Sequence, residues 1–364
     1  MQPVLFDCTP SLFPENGVGR VTSALLRALL RQSDPSEFIL YSRSLRKKLR
    51  GFQGVRKLRI PLPKEFEHYI KKFRLLDRMS KKVSLFHATD HYIPLKNSDK
   101  AIVTVHDIIF LKRPEKHLSR LHRQMAQNVP ALLHKCRHII TCSDYTKNDL
   151  VSFLNITEKK ITVIPWGMNH DLFCPLDNSS DTELSLTRKF GLSNPYFLGV
   201  SCSTGRKNTP MLLSCYEKLL TEKPDNDLVL VWDPPEEIRN RFNHPRIHFT
   251  GKVDDETLRD LYRCATATIY PSLYEGFGLP VLESLSCGTP VICSDVTSLP
   301  EVGGDISLYI NPLDSKSLFN QMMHFERGEI DVDDIRKRGL EHAKKFTWQE
   351  CAAKTMNVYR RFQS

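Results

Sequence analysis

The 364-residue chain contains no run of about 18 uninterrupted apolar residues, so no spanning helix is expected. It begins Met-Gln-Pro-Val-Leu-Phe-Asp, without a basic stretch leading into an apolar one, and no secretory leader is expected. Its ten cysteines include no Cys-x-x-Cys pair, which argues against a zinc ribbon and a small disulfide scaffold. The expectation is reduced thiols in a cytosolic protein, with Cys287 and Cys293 serving as small buried hydrophobes. There is no internal repeat and no low-complexity tract. Acidic residues are scarce in one half only. Residues 1–172 hold 30 Lys and Arg against 15 Asp and Glu, whereas residues 173–364 hold 22 against 27. A solvated basic face accounts for this; so does an N-terminal half that meets an anionic membrane surface or a phosphorylated acceptor. The densest basic patches are Arg43–Arg50 and Lys71–Lys82.

What is present is a chain with 40% hydrophobic residues, enough to bury real cores, and a length suited to two domains. Short apolar runs alternate with segments of helical period. Val4–Phe6, Phe38–Tyr41, Val83–His87, Ala101–Val105, Ile139–Thr141 and Ile161–Ile164 read as strands. Val21–Arg31, 64–82, Leu118–Lys135 and Tyr145–Phe153 read as helices, the last capped by Ser143 or Asp144. The helix over 64–82 is basic and amphipathic, suited to packing on its sheet or to lying on a membrane. A second series follows: strands Tyr196–Val200, Asp227–Trp232, Ile247–Phe249, Ala265–Tyr270, Val291–Cys293 and Ser307–Ile310, interleaved with helices. Strands alternating with helices imply α/β architecture with parallel, doubly wound sheets. The expected domains are 1–175 and 190–346, joined by a linker at about 168–190, with their strand ends facing a cleft.

Four constellations carry chemistry. The segment Glu275-Gly-Phe-Gly-Leu-Pro-Val-Leu-Glu283 follows a strand. Gly276 and Gly278 let backbone approach a ligand, Pro280 suits a first helical turn, and the helix start offers N–H groups to an anion. Glu283 lies about one turn further on, so the two acids suit hydroxyls on two parts of one long ligand. The bland account is two acids drawn to a helix N-terminus by its dipole. Second, Gly205-Arg206-Lys207-Asn208 follows the strand Tyr196–Val200, where adjacent cations suit a diphosphate; the bland account is a solvated surface pair. Third, His106-Asp107 ends the strand Ala101–Val105 and either reaches a cleft or caps a turn. Fourth, Gly17-Val-Gly19-Arg20 precedes the first helix, as in a phosphate loop. It lacks the third glycine of the dinucleotide fingerprint, and Glu37 precedes the second strand instead of ending it, which excludes NAD.

Together with Thr141-Cys-Ser-Asp144 and Ser298-Leu-Pro-Glu-Val302, these motifs resemble the family-4 retaining glycosyltransferases of GT-B architecture, over nearly the whole chain. That resemblance implies two Rossmann-like domains, with residues 347–364 crossing back onto the first. It implies a nucleotide-sugar donor bound by Gly17, Gly19, Arg206, Lys207, Glu275, Gly276, Phe277, Gly278, Leu279 and Glu283. Glu275 and His106 would meet the sugar, Glu283 the ribose, and Arg206 with Lys207 the diphosphate. Many members carry Arg directly after the strand's glycine. This chain has Val200 there, and Arg206 is taken to replace it.

The implied reaction is hexosyl transfer with retention, without metal or other cofactor, to a glycan or lipid-linked acceptor. Asp225-Asn-Asp227 and Asp331-Val-Asp333 could hold a metal but look remote from the strand ends, and read as turn and cap residues. Arg-Lys-Asn and Tyr-Glu-Gly-Phe-Gly-Leu-Pro resemble members that assemble bacterial surface polysaccharide, which points to GDP-mannose; a UDP-hexose is the alternative. Rival classes are a nucleotide-sugar epimerase of the same fold and a basic nucleic-acid-binding protein. The spaced acids argue against the first. Against the second stands a cleft containing two acids instead of cations interleaved with aromatics.

Overall fold

The computed structural model describes residues 2–13, 16–61, 82–91, 93, 98–112, 120–175, 180–203 and 205–363. The chain divides into two compact units, Met1–Gly167 with Thr347–Ser364, and Met168–Phe346. The division falls at Gly167, short of the expected 175. The expected linker at 168–190 is corrected too: it contains a helix, Ser180–Phe190, and belongs to the second unit. The Asp, Asn and Ser content there suggested a loop, yet Asp181 and Glu183 complement the helix N-terminus.

The described residues of the first unit form seven parallel strands: β1 (Val4–Asp7), β2 (Phe38–Arg43), β3 (Arg56–Ile60), β4 (Leu85–Ala88), β5 (Ala101–Val105), β6 (His138–Thr141) and β7 (Ile161–Val163). Their order is β3-β2-β1-β4-β5-β6-β7. Neighbouring residues of β1 serve opposite faces. Leu5 enters a core with Phe86, Val103 and Leu133. Val4 and Phe6 enter another with Leu26, Leu29, Met356 and Tyr359. Both faces are therefore covered, as parallel sheets require, and the strands read as nearly continuous apolar runs. The first helix, Gly17–Gln32, and the last, Trp348–Gln363, share that second core. Tyr359 is fully buried and hydrogen-bonds His87 Nδ1, and the other nitrogen of His87 meets Thr104 Oγ1 at 2.8 Å. Ser143 caps the helix Asp144–Leu154 by accepting from Thr146 N. The basic helix expected over 64–82 falls on 64–81, outside the described residues.

The described residues of the second unit form six parallel strands: β8 (Tyr196–Gly199), β9 (Asp227–Leu230), β10 (Ile247–Phe249), β11 (Ala267–Tyr270), β12 (Val291–Ser294) and β13 (Leu308–Ile310). Their order is β10-β9-β8-β11-β12-β13. The direction of winding reverses between β8 and β11, which pair directly through Thr268 and Leu198. In the first unit the reversal lies between β1 and β4. Loops at the carboxyl ends of such strand pairs diverge and leave a crevice where α/β proteins bind ligands.

Candidate active site

The two loops that leave the β8/β11 reversal carry Arg206 and Lys207 on one side and Glu275 on the other. Strand pairing brings Glu275 to Arg206 and Lys207, 69 and 68 positions away in sequence. The Glu275 carboxylate accepts from Arg206 Nη1 at 2.7 Å and from Lys207 Nζ at 2.7 Å. Tyr270, the last residue of β11, donates its hydroxyl to Glu275 at 3.0 Å. Lys207 also hydrogen-bonds that hydroxyl and lies 4.7 Å from the Tyr270 ring centre. The acid expected to meet the sugar and the cations expected to meet the diphosphate form one hydrogen-bonded cluster.

Burial sets its electrostatics. The Glu275 side chain is 7% exposed, Lys207 14% and Arg206 35%. Burial would push the Glu275 carboxyl up, but the charges of Lys207 and Arg206 outweigh it and hold the group below its usual range. Burial pulls the Lys207 ammonium down; the attraction of Glu275 opposes this without offsetting it, and Arg206 adds a smaller repulsion. The cluster carries a net single positive charge. Both carboxylate oxygens are engaged, which leaves Glu275 poorly placed to attack as a nucleophile.

Beyond Glu275 the backbone turns into the helix Leu279–Ser286, with Pro280 in its first turn. Gly278 has φ +127°, outside the reach of L side chains, and a Cβ there would lie 2.8 Å from Leu299. Ser298 Oγ lies 3.0 Å from the Glu275 carbonyl and 2.6 Å from that of Phe277, and Thr297 Oγ1 accepts from Glu275 N at 3.2 Å. Side chains therefore pin the glycine loop from behind. Phe277 is 3% exposed and its ring packs against Phe346, so its side chain is turned into the protein's own packing. Gly276 is buried and Leu279 half-buried. Glu283 has a separate partner: Tyr262, fully buried, donates its hydroxyl at 2.9 Å.

The first unit places His106 at the end of β5. Its ring is 7% exposed and lies against Trp166. Nε2 donates to the Thr89 carbonyl at 2.8 Å, which leaves Nδ1 as an acceptor with no hydrogen-bond partner among the described residues. Burial lowers its basicity, so the ring is neutral at pH 7. Gly17 and Gly19 depart from expectation, because both lie within the first turn of a helix and not in a loop before it. A Cβ on Gly19 would sit 2.2 Å from the Phe13 carbonyl oxygen and 2.6 Å from that of Pro10. This glycine is required by the chain's own turn, a reason additional to the expected approach of a ligand. Gly19→Ala is expected to destabilise the protein by about 3 kcal/mol through overpacking, lowering the thermal midpoint in calorimetry by roughly 6–10 °C. An unchanged midpoint would refute this.

Sequence reasoning missed several groups. Tyr270, Tyr262 and Thr297 are ordinary strand, helix and loop residues until pairing places them on Glu275 and Glu283. At the first unit's reversal, Asp7 ends β1, and burial pushes its carboxyl up to about 6. Asp90 and His91, just past β4, meet at 2.7 Å. Of the two Asp-x-Asp triplets, Asp227 accepts from Arg246 at 2.7 Å and from His248 at 3.0 Å. Asp331 caps a helix by accepting from Asp334 N. Asp331 is thus the expected cap, whereas Asp227 is not a turn residue but an ion-paired residue of β9.

Two parallel α/β sheets, each with a polar constellation at its winding reversal, define a protein of the GT-B class. Residues 195–325 match the glycosyl transferases group 1 family, and residues 15–172 match glycosyltransferase family 4. The O-antigen chain mannosyltransferase B of Escherichia coli is 31% identical over 285 residues, 76% of this chain and 74% of that protein. The serotype-specific mannosyltransferase WbdA of Escherichia coli is 27% identical over 264 residues, 70% of this chain; the chain spans 32% of that longer relative. The solved sucrose-phosphate synthase of Thermosynechococcus elongatus matches with a TM-score of 0.78 over 99% of each chain at 22% identity, which shows the shared fold. The chain belongs to the family-4 glycosyltransferases. Among its described residues, no helix is long and apolar enough to cross a membrane.

Proposed function

We propose that this glycosyltransferase moves mannose from GDP-mannose, with retention and without a metal ion, to a glycan or lipid-linked acceptor in surface-polysaccharide synthesis. The mannosyltransferase names of its relatives support the sugar. The observation that carries the donor site is the Arg206–Lys207–Glu275–Tyr270 cluster at the β8/β11 reversal. Its net positive charge, with the N–H groups that begin the helix Leu279–Ser286, would hold the diphosphate and stabilise it as it departs. Cations of the chain fill the role that a divalent metal plays elsewhere. Glu275 would accept from sugar hydroxyls as the ring gains oxocarbenium character, and His106 Nδ1, a neutral acceptor, would take a further hydroxyl. Glu283, held by Tyr262, would bind the ribose. The acceptor oxygen would form its bond to the anomeric carbon on the face the diphosphate leaves, its proton passing to a departing phosphate oxygen. The tied carboxylate of Glu275 favours this over a covalent intermediate.

Thermal-shift titration against a panel of nucleotide sugars tests the proposal. GDP-mannose is expected to raise the midpoint most, in EDTA as well as in magnesium. A larger shift with a UDP-hexose would replace the donor. Turnover that vanishes in EDTA and returns with magnesium would overturn metal independence. No shift with any nucleotide, beside salt-resistant DNA binding, would sink the transferase reading.

A further inference from the structure

Left-handed backbone is uncommon outside glycine, and least tolerated by β-branched residues, whose two γ atoms crowd the main chain. Six non-glycine residues of the described chain have positive φ: Phe52, Asn155, Ser201, Asn208, Lys223 and Thr297. Three of these, Ser201, Asn208 and Thr297, lie on the loops that leave β8 and β12, beside the Arg206–Lys207–Glu275 cluster. Thr297, at φ 62°, is the one β-branched residue among the six. It lies between β12 and the short helix Leu299–Gly303, where a glycine would make the same turn without crowding. Strain of this kind persists only where the surrounding structure over-determines it, and it gathers at functional sites.

The hydrogen bonds of Thr297 show what this conformation achieves. Its Oγ1 donates to the Val296 carbonyl at 2.6 Å and accepts from the Glu275 N–H at 3.2 Å. Donation to Val296 commits the hydroxyl proton, so a lone pair is what faces Glu275. The next residue, Ser298, meets the Glu275 carbonyl at 3.0 Å. One dipeptide, brought alongside by the pairing of β12 with β11, therefore holds both backbone polar groups of Glu275. The carboxylate of Glu275 is held from elsewhere, by Arg206, Lys207 and Tyr270. Main chain and side chain of the same acid are thus fixed independently. A glycine at 297 would relax the backbone and remove the acceptor that Glu275 N–H uses. A turn that had only to be closed gains nothing from the strained residue, whereas a turn that must place Glu275 does.

We propose that Thr297 is a positioning residue for Glu275: its left-handed backbone is retained because it sets the Glu275 main chain, and through it the carboxylate, where the sugar is met. The inference rests on the sugar-binding role proposed for Glu275. Thr297→Gly in the full chain separates placement from stability. Relief of crowding offsets the lost hydrogen bond, so the thermal midpoint is expected within about 3 °C of the parent or above it. Release of GDP from GDP-mannose is expected to slow by about fivefold or more, the worth of one hydrogen bond at the reacting centre. GDP affinity by calorimetry is expected not to weaken, because GDP carries no sugar for Glu275 to meet. Amide hydrogen exchange in the peptide containing Glu275 is expected to quicken. Thr297→Ser keeps the hydroxyl with less crowding, and is expected to recover most of the turnover and the slow exchange. A residue that only stabilises the loop would make turnover follow the midpoint. Parental turnover in Thr297→Gly, turnover lost only together with the midpoint and GDP binding, or a Thr297→Ser variant as slow as Thr297→Gly overturns the inference. Glu275→Ala is the reference. Parental turnover there would remove the role proposed for Glu275 and this inference with it; lost turnover there beside parental turnover in Thr297→Gly would remove this inference alone.

Discussion

Glu275→Ala is expected to lower turnover in sugar transfer by about 10²–10³-fold, the usual loss when one preorganised polar group is removed from a reacting centre. The same change is expected to tighten nucleoside diphosphate binding. Glu275 occupies Arg206 and Lys207 at 2.7 Å each, so in the ligand-free protein it competes with phosphate for both cations. Deleting a charge at such distances is worth about 1 kcal/mol even at a solvent-like dielectric, or roughly fivefold in affinity. Opposite effects on catalysis and affinity mark a residue that belongs to the sugar and balances the phosphate site. Glu275→Gln keeps the shape and loses the charge, and should show the same gain in affinity. Steady-state kinetics and calorimetry together decide it: turnover within tenfold of the parent, or weakened diphosphate binding, refutes the assignment.

Removing the cations has the second large effect. Hydrogen bonds to charged groups contribute about 1.5–3 kcal/mol each. Loss of both Arg206 and Lys207 should therefore weaken nucleoside diphosphate binding by about 10²–10⁴-fold. The plain double variant is a poor test, because it strands the Glu275 carboxylate, 7% exposed, without a counter-charge. The triple variant Arg206→Met, Lys207→Met, Glu275→Gln removes the charges together and keeps much of the volume. It is expected to retain the parent's thermal midpoint within a few degrees while losing the nucleotide. Retained affinity in the folded triple variant would show that the diphosphate is held elsewhere.

The segment from Glu275 to Glu283 was legible because its local signals agree. Glycines, a proline at a helix start and flanking apolar runs all specify one strand, one loop and one helix. Most other strands were legible for the same reason. β3 was not: Arg-Lys-Leu-Arg-Ile is a charged edge strand, and charge on an edge guards against unwanted pairing while hiding the apolar alternation. The helix Ser180–Phe190 was hidden by polar residues that a solvent-facing helix tolerates. Gly17 and Gly19 were seen, yet the reason for Gly19, a backbone carbonyl 2.2 Å from its absent Cβ, depends on a turn that folds back on the helix.

Local chemistry by itself determined the element types, the parallel α/β class, the family motifs and the sign of charge in each half. These depend on spacing and composition within a few turns of chain. Only the tertiary structure decided which loops share a winding reversal, because strand order is set by packing across the sheet and not by neighbours in sequence. It therefore decided that Arg206 and Lys207 hydrogen-bond Glu275 directly. It paired Glu283 with Tyr262, left Nδ1 of His106 without a hydrogen-bond partner among the described residues, and placed the basic run after β2 around a cavity. Burial then set the charge balance of each group, and no sequence window contains that quantity.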